Sequence, residues 1–194
     1  WGGWFADDTY MALLKDIRKL FEKNSSLPMR SVAQTAVFVD EESYALISDT
    51  SVTQNVCYDI REALGKMSAP YDIYLSADAQ SVIDRYKAVI SLVPIETELS
   101  MRVKELAEQN NCAFIEITNN NYGITPCELR SFLQSAGVWV YCERNAVIYA
   151  NNRFVFLHTA EDGEYTLNVK NAKKLVDVLT GKPFIQGQYL KKGK

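Results

Sequence analysis

Five polar residues in this sequence could bind a ligand or carry out catalysis, and each follows a predicted β-strand. They are Asp40 and Glu41, then Glu96, then Asn119 and Asn120. Two carboxylates about 5 to 10 Å apart serve glycoside hydrolysis, and amide groups can hydrogen-bond a sugar or another polar ligand. Ligands of open α/β sheets bind outside the carboxyl ends of the strands, so these residues are the candidate ligand-binding site.

Each candidate also has a structural interpretation. Glu96 fits the first turn of a helix, where the helix dipole favours a carboxylate. The Asn-rich loop that ends at Gly123 is typical of a turn that contains left-handed backbone. His158 is the single histidine and has no partner pattern around it. The sequence therefore predicts no catalytic residue, and the functional and structural interpretations of the loops both stay open.

The sequence predicts neither a metal nor a cofactor. The four cysteines are far apart and form no Cys-x-x-Cys pair, so buried reduced thiols are the interpretation for Cys57, Cys112, Cys127 and Cys142. The chain contains no Gly-x-Gly-x-x-Gly segment and no Walker loop. Acidic side chains after the first predicted strand would also repel a phosphate group, which argues against flavin or dinucleotide binding.

Composition excludes several classes of protein. Of the 194 residues, 47% are hydrophobic and 23% charged, which is ordinary globular usage and excludes wholesale disorder. A formal net charge of -3 gives no electrostatic reason to bind nucleic acid. Apolar runs such as residues 88–94 are much shorter than the roughly 20 residues that span a bilayer. We expect a folded domain without a nucleic-acid or membrane partner.

The predicted elements alternate between strands and helices. Helices are predicted over residues 8–23, 52–67, 77–85, 96–110 and 126–136. Strands are predicted over residues 34–40, 71–75, 86–93, 112–117 and 138–141. This alternation is typical of parallel βαβ units and predicts an α/β fold: a flavodoxin-like, doubly wound parallel sheet of five strands.

Beyond residue 142 the pattern changes to short strands and turns. Apolar runs at 146–150 and 153–157 flank Asn151 and Asn152, which predicts a hairpin with a two-residue turn. Residues 165–169, 174–179 and 187–190 continue as short strand-like pieces. We interpret 143–194 as an antiparallel β segment or a small β domain after an α/β domain at 31–142.

The first residues, Trp-Gly-Gly-Trp-Phe-Ala-Asp-Asp at 1–8, contain neither an initiator methionine nor a signal peptide. We interpret the chain as a piece of a longer protein, so the sequence indicates no cellular location. This segment resembles the one that closes the catalytic barrel in family 42 glycoside hydrolases, the β-galactosidases. The resemblance implies that residues 1–30 contain the last barrel helix and that Trp4 could stack on a sugar.

The resemblance extends along the chain. Residues 71–75 and 86–90 look like the second and third strands of the family's flavodoxin-like domain, which is related to glutamine amidotransferases but lacks their nucleophile. Residues 153–160, 165–169 and 176–182 look like the small β domain that closes such enzymes. The family's catalytic glutamates lie on barrel strands that would precede Trp1, so none is carried over.

The resemblance thus implies a non-catalytic accessory and oligomerisation region of a larger glycoside hydrolase acting on a β-galactoside-like carbohydrate. Its partners would be the preceding catalytic barrel and further copies of the chain, with a trimer as one expected assembly. The alternative is a self-contained α/β module that binds a sugar or a nucleotide through the loops of Asp40, Glu41 and Asn120.

Overall fold

The computed structural model describes residues 7–48, 50–170, 172 and 174–192. The α-helices are α1 (Asp8–Asn24), α2 (Glu41–Leu46), α3 (Thr50–Thr53), α4 (Ile60–Lys66), α5 (Ala79–Val82), α6 (Glu98–Gln109) and α7 (Pro126–Ser135). The strands are β1 (Thr35–Val39), β2 (Tyr71–Leu75), β3 (Ala88–Leu92), β4 (Ala113–Ile117), β5 (Ala146–Ala150), β6 (Val155–Thr159), β7 (Gly163–Tyr165) and β8 (Gln188–Leu190).

The centre of the fold is a four-stranded parallel sheet in the order β2-β1-β3-β4. The predicted α/β class and four of the five predicted strands are confirmed. Every residue of β3 is buried, as its uninterrupted apolar sequence predicts for an inner strand of a parallel sheet. All four strands run in the same direction, so the loops after them meet at one edge of the sheet.

Helices cover both faces of this sheet, as predicted. On one face, α4 and α7 pack against side chains that include Val37 and Ile90. On the other face, α5 and α6 pack against Phe38 and Val89. Alternate residues of each strand therefore belong to different cores, and both cores are apolar because both sheet faces are buried.

The predicted fifth strand, residues 138–141, is wrong. This segment crosses beneath the amino ends of the other strands. Lys87 Nζ donates to the carbonyl of Gly137 (2.7 Å), Trp139 N donates to Gln34 Oε1 (2.8 Å), and Tyr141 N donates to the carbonyl of Ser68 (2.9 Å). Val138, Val140 and Tyr141 are buried, Val138 in the core beside α4 and α7 and Tyr141 in the core that contains Tyr165, so the apolar pattern that predicted strand pairing reflects burial alone.

Two predicted helices have different details in the structure. The helix predicted over 52–67 forms from α3 and α4, joined by a π-helical segment at Gln54–Asp59, and its predicted inner residues Val56, Ile60 and Leu64 are buried. The helix predicted from Glu96 begins at Glu98, because Thr97 caps it through a hydrogen bond from Ser100 N to Thr97 Oγ1.

The C-terminal residues form two antiparallel pairs, β5–β6 and β7–β8, around a third core centred on Tyr165. The predicted hairpin is present, but its turn lies one residue later, because Asn151 N donates to the carbonyl of Phe154 (3.0 Å). Asn151 Oδ1 also accepts hydrogen bonds from Arg153 N and Phe154 N. Residues 174–179 do not form a strand; Val176 makes an isolated bridge with Pro183.

Helix α1 matches its predicted bounds closely but buries none of its residues. Asp7 caps its first turn by accepting a hydrogen bond from Tyr10 N (2.9 Å). Within the described ranges, no helix combines the length and apolarity that a membrane span requires. The division into regions 1–30, 31–142 and 143–194 stays a prediction.

Candidate functional site

Asp40, the first candidate residue, is fully buried at the carboxyl end of β1. Its Oδ1 accepts hydrogen bonds from the backbone N–H groups of Glu42 (3.1 Å) and Ser43 (3.2 Å), which makes it the N-cap of α2. Its Oδ2 accepts a hydrogen bond of 2.6 Å from the Thr97 hydroxyl. Both carboxylate oxygens are therefore engaged by the chain itself.

The Glu41 side chain extends along the same edge of the sheet, towards the loop after β2. Its two carboxylate oxygens accept hydrogen bonds from Ser76 N (2.9 Å) and Ala77 N (3.1 Å). These N–H groups open the short helical turn after β2, where a helix end lacks internal acceptors. Glu41 therefore ties the loop after β1 to the loop after β2, and its carboxylate is not aimed towards Glu96.

The hydrogen bond between Asp40 and Thr97 fills the position where this fold class binds ligands. The strand order makes the β1–β3 boundary the point at which the connections reverse, and ligands of open α/β sheets bind in the crevice there. Asp40 follows β1 and Thr97 follows β3, and both side chains are buried. The crevice is closed by the protein's own side chains.

Glu96 lies elsewhere, on the rim of a shallow surface groove of about 300 Å³ that also contains Lys104 and Glu116. Burial raises the pKa of Glu116, the Glu96 carboxylate raises it further, Lys104 opposes this rise, and the Asp40 carboxylate adds a smaller increase. Glu116 occupies β4 beside Ser91 of β3. Our sequence analysis did not single out Glu116; the signal that could have found it is an acidic residue within an otherwise apolar predicted strand.

The raised pKa of Glu116 predicts a pH-dependent effect of Glu116→Gln. Between the ordinary glutamate pKa and the raised one, the folded chain binds more protons than the unfolded chain, so stability falls as pH rises through this window. Glutamine carries no charge and avoids this loss. We expect Glu116→Gln to raise the urea midpoint of unfolding at about pH 7 and to change it little at about pH 4.

The matched control for this prediction is Glu164→Gln, because Glu164 is exposed on β7. Its urea midpoint should differ from that of the parent chain by a similar amount at both pH values. A larger gain for Glu116→Gln in acid than at neutral pH would contradict the prediction.

The asparagine loop after β4 is held largely by its own hydrogen bonds. Asn121 Oδ1 accepts from Thr118 N (2.7 Å), and Asn121 Nδ2 donates to the carbonyl of Glu116 (2.8 Å). Asn119 Oδ1 accepts from Asn55 Nδ2 (2.7 Å), which connects the loop to the π-helical segment. Asn120 is exposed, and its backbone N–H donates to the Thr118 hydroxyl. Both loop candidates, Asn119 and Asn120, are exposed.

The other potentially reactive residues are dispersed. Among the described residues, no three His, Cys, Asp or Glu side chains come together as metal ligands. His158 is exposed on β6. Cys112 and Cys142 are buried as predicted, burial raises the pKa of the partly buried Cys57 thiol to about 11, and Cys127 is exposed, contrary to the prediction. Trp4 lies outside the described residues.

These positions define a domain of the α/β class whose predicted site residues do not converge on one pocket. Asp40 and Glu41 bind the chain's own donors, whereas Glu96 and Asn120 are exposed at separate loops. No protein-family model, curated protein or solved structure matches the chain.

Proposed function

We propose that the chain is a non-catalytic accessory and oligomerisation domain of a larger β-galactosidase-like glycoside hydrolase. The observation that carries this proposal is a contrast between two surfaces. The crevice at the β1–β3 boundary is filled by Asp40 and Thr97, whereas the apolar residues of α1 are not buried at all. A domain with a closed ligand crevice and an open apolar helix is suited to packing against other protein rather than to binding a small molecule.

Helix α1 supplies the surface for such packing. Its large apolar side chains repeat at helical spacing and are substantially exposed: Tyr10, Met11, Leu13, Leu14, Ile17 and Phe21. Its charged side chains pair with one another, Arg18 with Glu22 at 2.8 Å and Lys19 with Asp16 at 3.0 Å. An amphipathic helix of a globular protein normally buries its apolar stripe, so this stripe requires a partner surface. The resemblance to family 42 enzymes assigns that surface to the preceding catalytic barrel.

The sheet supports the finer part of the proposal, a flavodoxin-like domain related to the glutamine amidotransferases. The order β2-β1-β3-β4 equals the first four positions of the flavodoxin order 2-1-3-4-5. In the amidotransferases the nucleophile lies on a tight turn after the third strand. The corresponding residues here, 93–97, contain no Cys or Ser flanked by glycines.

The proposal predicts that the purified chain does not hydrolyse aryl β-galactosides. Asp40 and Glu41, two of the candidate carboxylates, are held by backbone N–H groups, so neither is free to act as acid or nucleophile. The measurement is release of the aryl group over time. Hydrolysis of the aryl β-galactoside that co-purifies with the chain would overturn the proposal.

A second measurement addresses the origin of the chain. The reading frame upstream of Trp1 should encode alternating strands and helices with two glutamates at strand ends. A start codon directly before Trp1 would contradict the accessory role.

The competing function is a self-contained module that binds a sugar or a nucleotide. A thermal-shift screen with monosaccharides and nucleotides separates the two functions, and we expect no saturable shift. A saturable shift that Asn120→Ala abolishes and Asn168→Ala preserves would establish the binding module instead. Asn168 is a suitable control because it is also exposed but lies in the C-terminal β region.

A further inference from the structure

We propose that β2 is a homodimerisation strand: it pairs antiparallel with β2 of a second copy and joins two four-stranded sheets into one. This inference rests on the proposed function as an assembly domain and names its partner and surface. It uses residues other than those of α1.

The first support is the open edge of the sheet at β2. Strand β2 pairs with β1 along all five residues, Tyr71 to Leu75. On its other side, no described residue forms a backbone hydrogen bond with it. An edge strand presents a row of backbone N–H and C=O groups without hydrogen-bond partners. Another strand can supply the partners for the whole row.

The second support is the exposure of the apolar side chains of β2. Ile73 is 62% exposed and Leu75 is 50% exposed, whereas Val37, the neighbour of Ile73 on β1, is 1% exposed. The same sheet face is thus covered by helices over β1 and left open over β2. Natural edge strands are commonly protected by lysine, by proline or by a bulge, and β2 contains neither residue.

The third support is the self-complementarity of the sequence. In an antiparallel pairing centred on Ile73, that residue lies opposite itself, Tyr71 lies opposite Leu75, and Asp72 lies opposite Tyr74. Apolar side chains then meet on one face. On the other face, Asp72 already accepts hydrogen bonds from Ser31 Oγ (2.9 Å) and Tyr86 OH (2.7 Å) within its own chain, and it lies opposite Tyr74 and not opposite another carboxylate. A two-fold axis through Ile73 generates this pairing and closes the assembly at two copies.

The opposite edge of the sheet is a poorer candidate for the same pairing. Strand β4 carries Glu116, whose pKa is raised by burial and by the nearby Glu96 carboxylate. Pairing two copies along β4 would bring further carboxylates to this region. No side chain of β4 is classed as exposed, whereas Ile73 and Leu75 of β2 are exposed. The two edges therefore differ, and β2 is the one open to a second copy.

The test uses a chain in which α1 cannot drive association, carrying Ile17→Glu and Phe21→Glu. Sedimentation velocity should give a species of twice the 22.0 kDa chain mass. Adding Ile73→Lys should raise the dissociation constant of the dimer roughly a hundredfold, because the two-fold axis places the substitution on both sides of the interface. The control is Ile185→Lys, since Ile185 is 66% exposed and lies outside the sheet; it should leave the dimer intact.

A cross-linking experiment tests the register. Directly opposed residues of an antiparallel pair have Cα atoms about 4.5 to 5.5 Å apart, within the range that a disulfide spans. In a Cys127→Ser background, which removes the exposed native thiol, oxidation of Ile73→Cys should give a covalent dimer. Oxidation of the matched Ile185→Cys should not.

Each outcome decides the proposal. Loss of the dimer in Ile73→Lys together with cross-linking of Ile73→Cys supports it. A monomer in the parent background, a dimer unaffected by Ile73→Lys, or a trimer would overturn it. These results are independent of galactoside turnover, so a monomeric but inert chain would remove the β2 inference and leave the non-catalytic role standing.

Discussion

Asp40→Ala is expected to lower the free energy of unfolding by about 3 kcal/mol. The substitution removes the N-cap of α2 and the acceptor of the buried Thr97 hydroxyl in one step. Loss of an N-cap costs about 1 kcal/mol, and each hydrogen bond to a charged group contributes about 1.5 to 3 kcal/mol. Urea denaturation followed by circular dichroism measures the change.

Three variants separate this effect from a general sensitivity of the loop. Thr97→Val keeps the side-chain volume but removes the hydroxyl, which both donates to Asp40 and caps α6, so it should cost about as much as Asp40→Ala. The combined variant should cost less than the sum, because both substitutions break the same hydrogen bond. Glu42→Ala, at an exposed neighbouring position, should change stability little. An Asp40→Ala chain as stable as the parent would show that Asp40 is not a structural cap.

Arg130→Met is expected to cost about 3 kcal/mol and to loosen the C-terminal β region. Arg130 is only 6% exposed. Its guanidinium donates to the carbonyl of Arg144 (3.1 Å), to Asn145 Oδ1 (3.0 Å) and to the Ser68 hydroxyl (3.4 Å). Methionine retains the apolar stem but provides no donor, so Asn145 Oδ1 loses the hydrogen bond from Arg130 and the Arg144 carbonyl keeps only the one from the Ser68 hydroxyl.

Hydrogen exchange shows where the loss acts. Because Arg130 connects α7 to the residues that begin the C-terminal region, the amides of β5 and β6 should exchange faster in Arg130→Met, and those of β1 should change less. Arg153→Ala, at an exposed position in the hairpin turn, is the control and should behave like the parent chain. Uniform acceleration of all strands would contradict a local role for Arg130.

Local sequence patterns were sufficient to predict most of the elements. Strand β2 matches its predicted residues 71–75, and α1 matches its predicted start, because apolar periodicity and capping residues are properties of short segments. The alternation of strands and helices predicted the α/β class for the same reason. The two-residue turn was displaced by one position because Asn151 accepts two backbone hydrogen bonds through its side chain.

The candidate site shows what local patterns leave open. The sequence placed Asp40, Glu96 and Asn120 correctly in loops after strands, but it could not show where their side chains point. Packing decided that Asp40 meets Thr97, 57 positions away along the chain, and that Glu41 meets the loop after β2. Such contacts depend on the order of the strands in the sheet, which the local sequence of a loop does not contain.

The sequence by itself determined most of the secondary structure and the α/β class of this protein, because periodicity and capping act over a few residues. Only the tertiary structure decided that residues 138–141 pass beneath the sheet, that Asp40 closes the crevice between β1 and β3, and that α1 keeps its apolar face exposed. The physical reason is that a buried strand and a buried loop both require apolar side chains, so an apolar run does not distinguish between them. An apolar run shows that a segment is buried, but its partners are set by the packing of the whole chain.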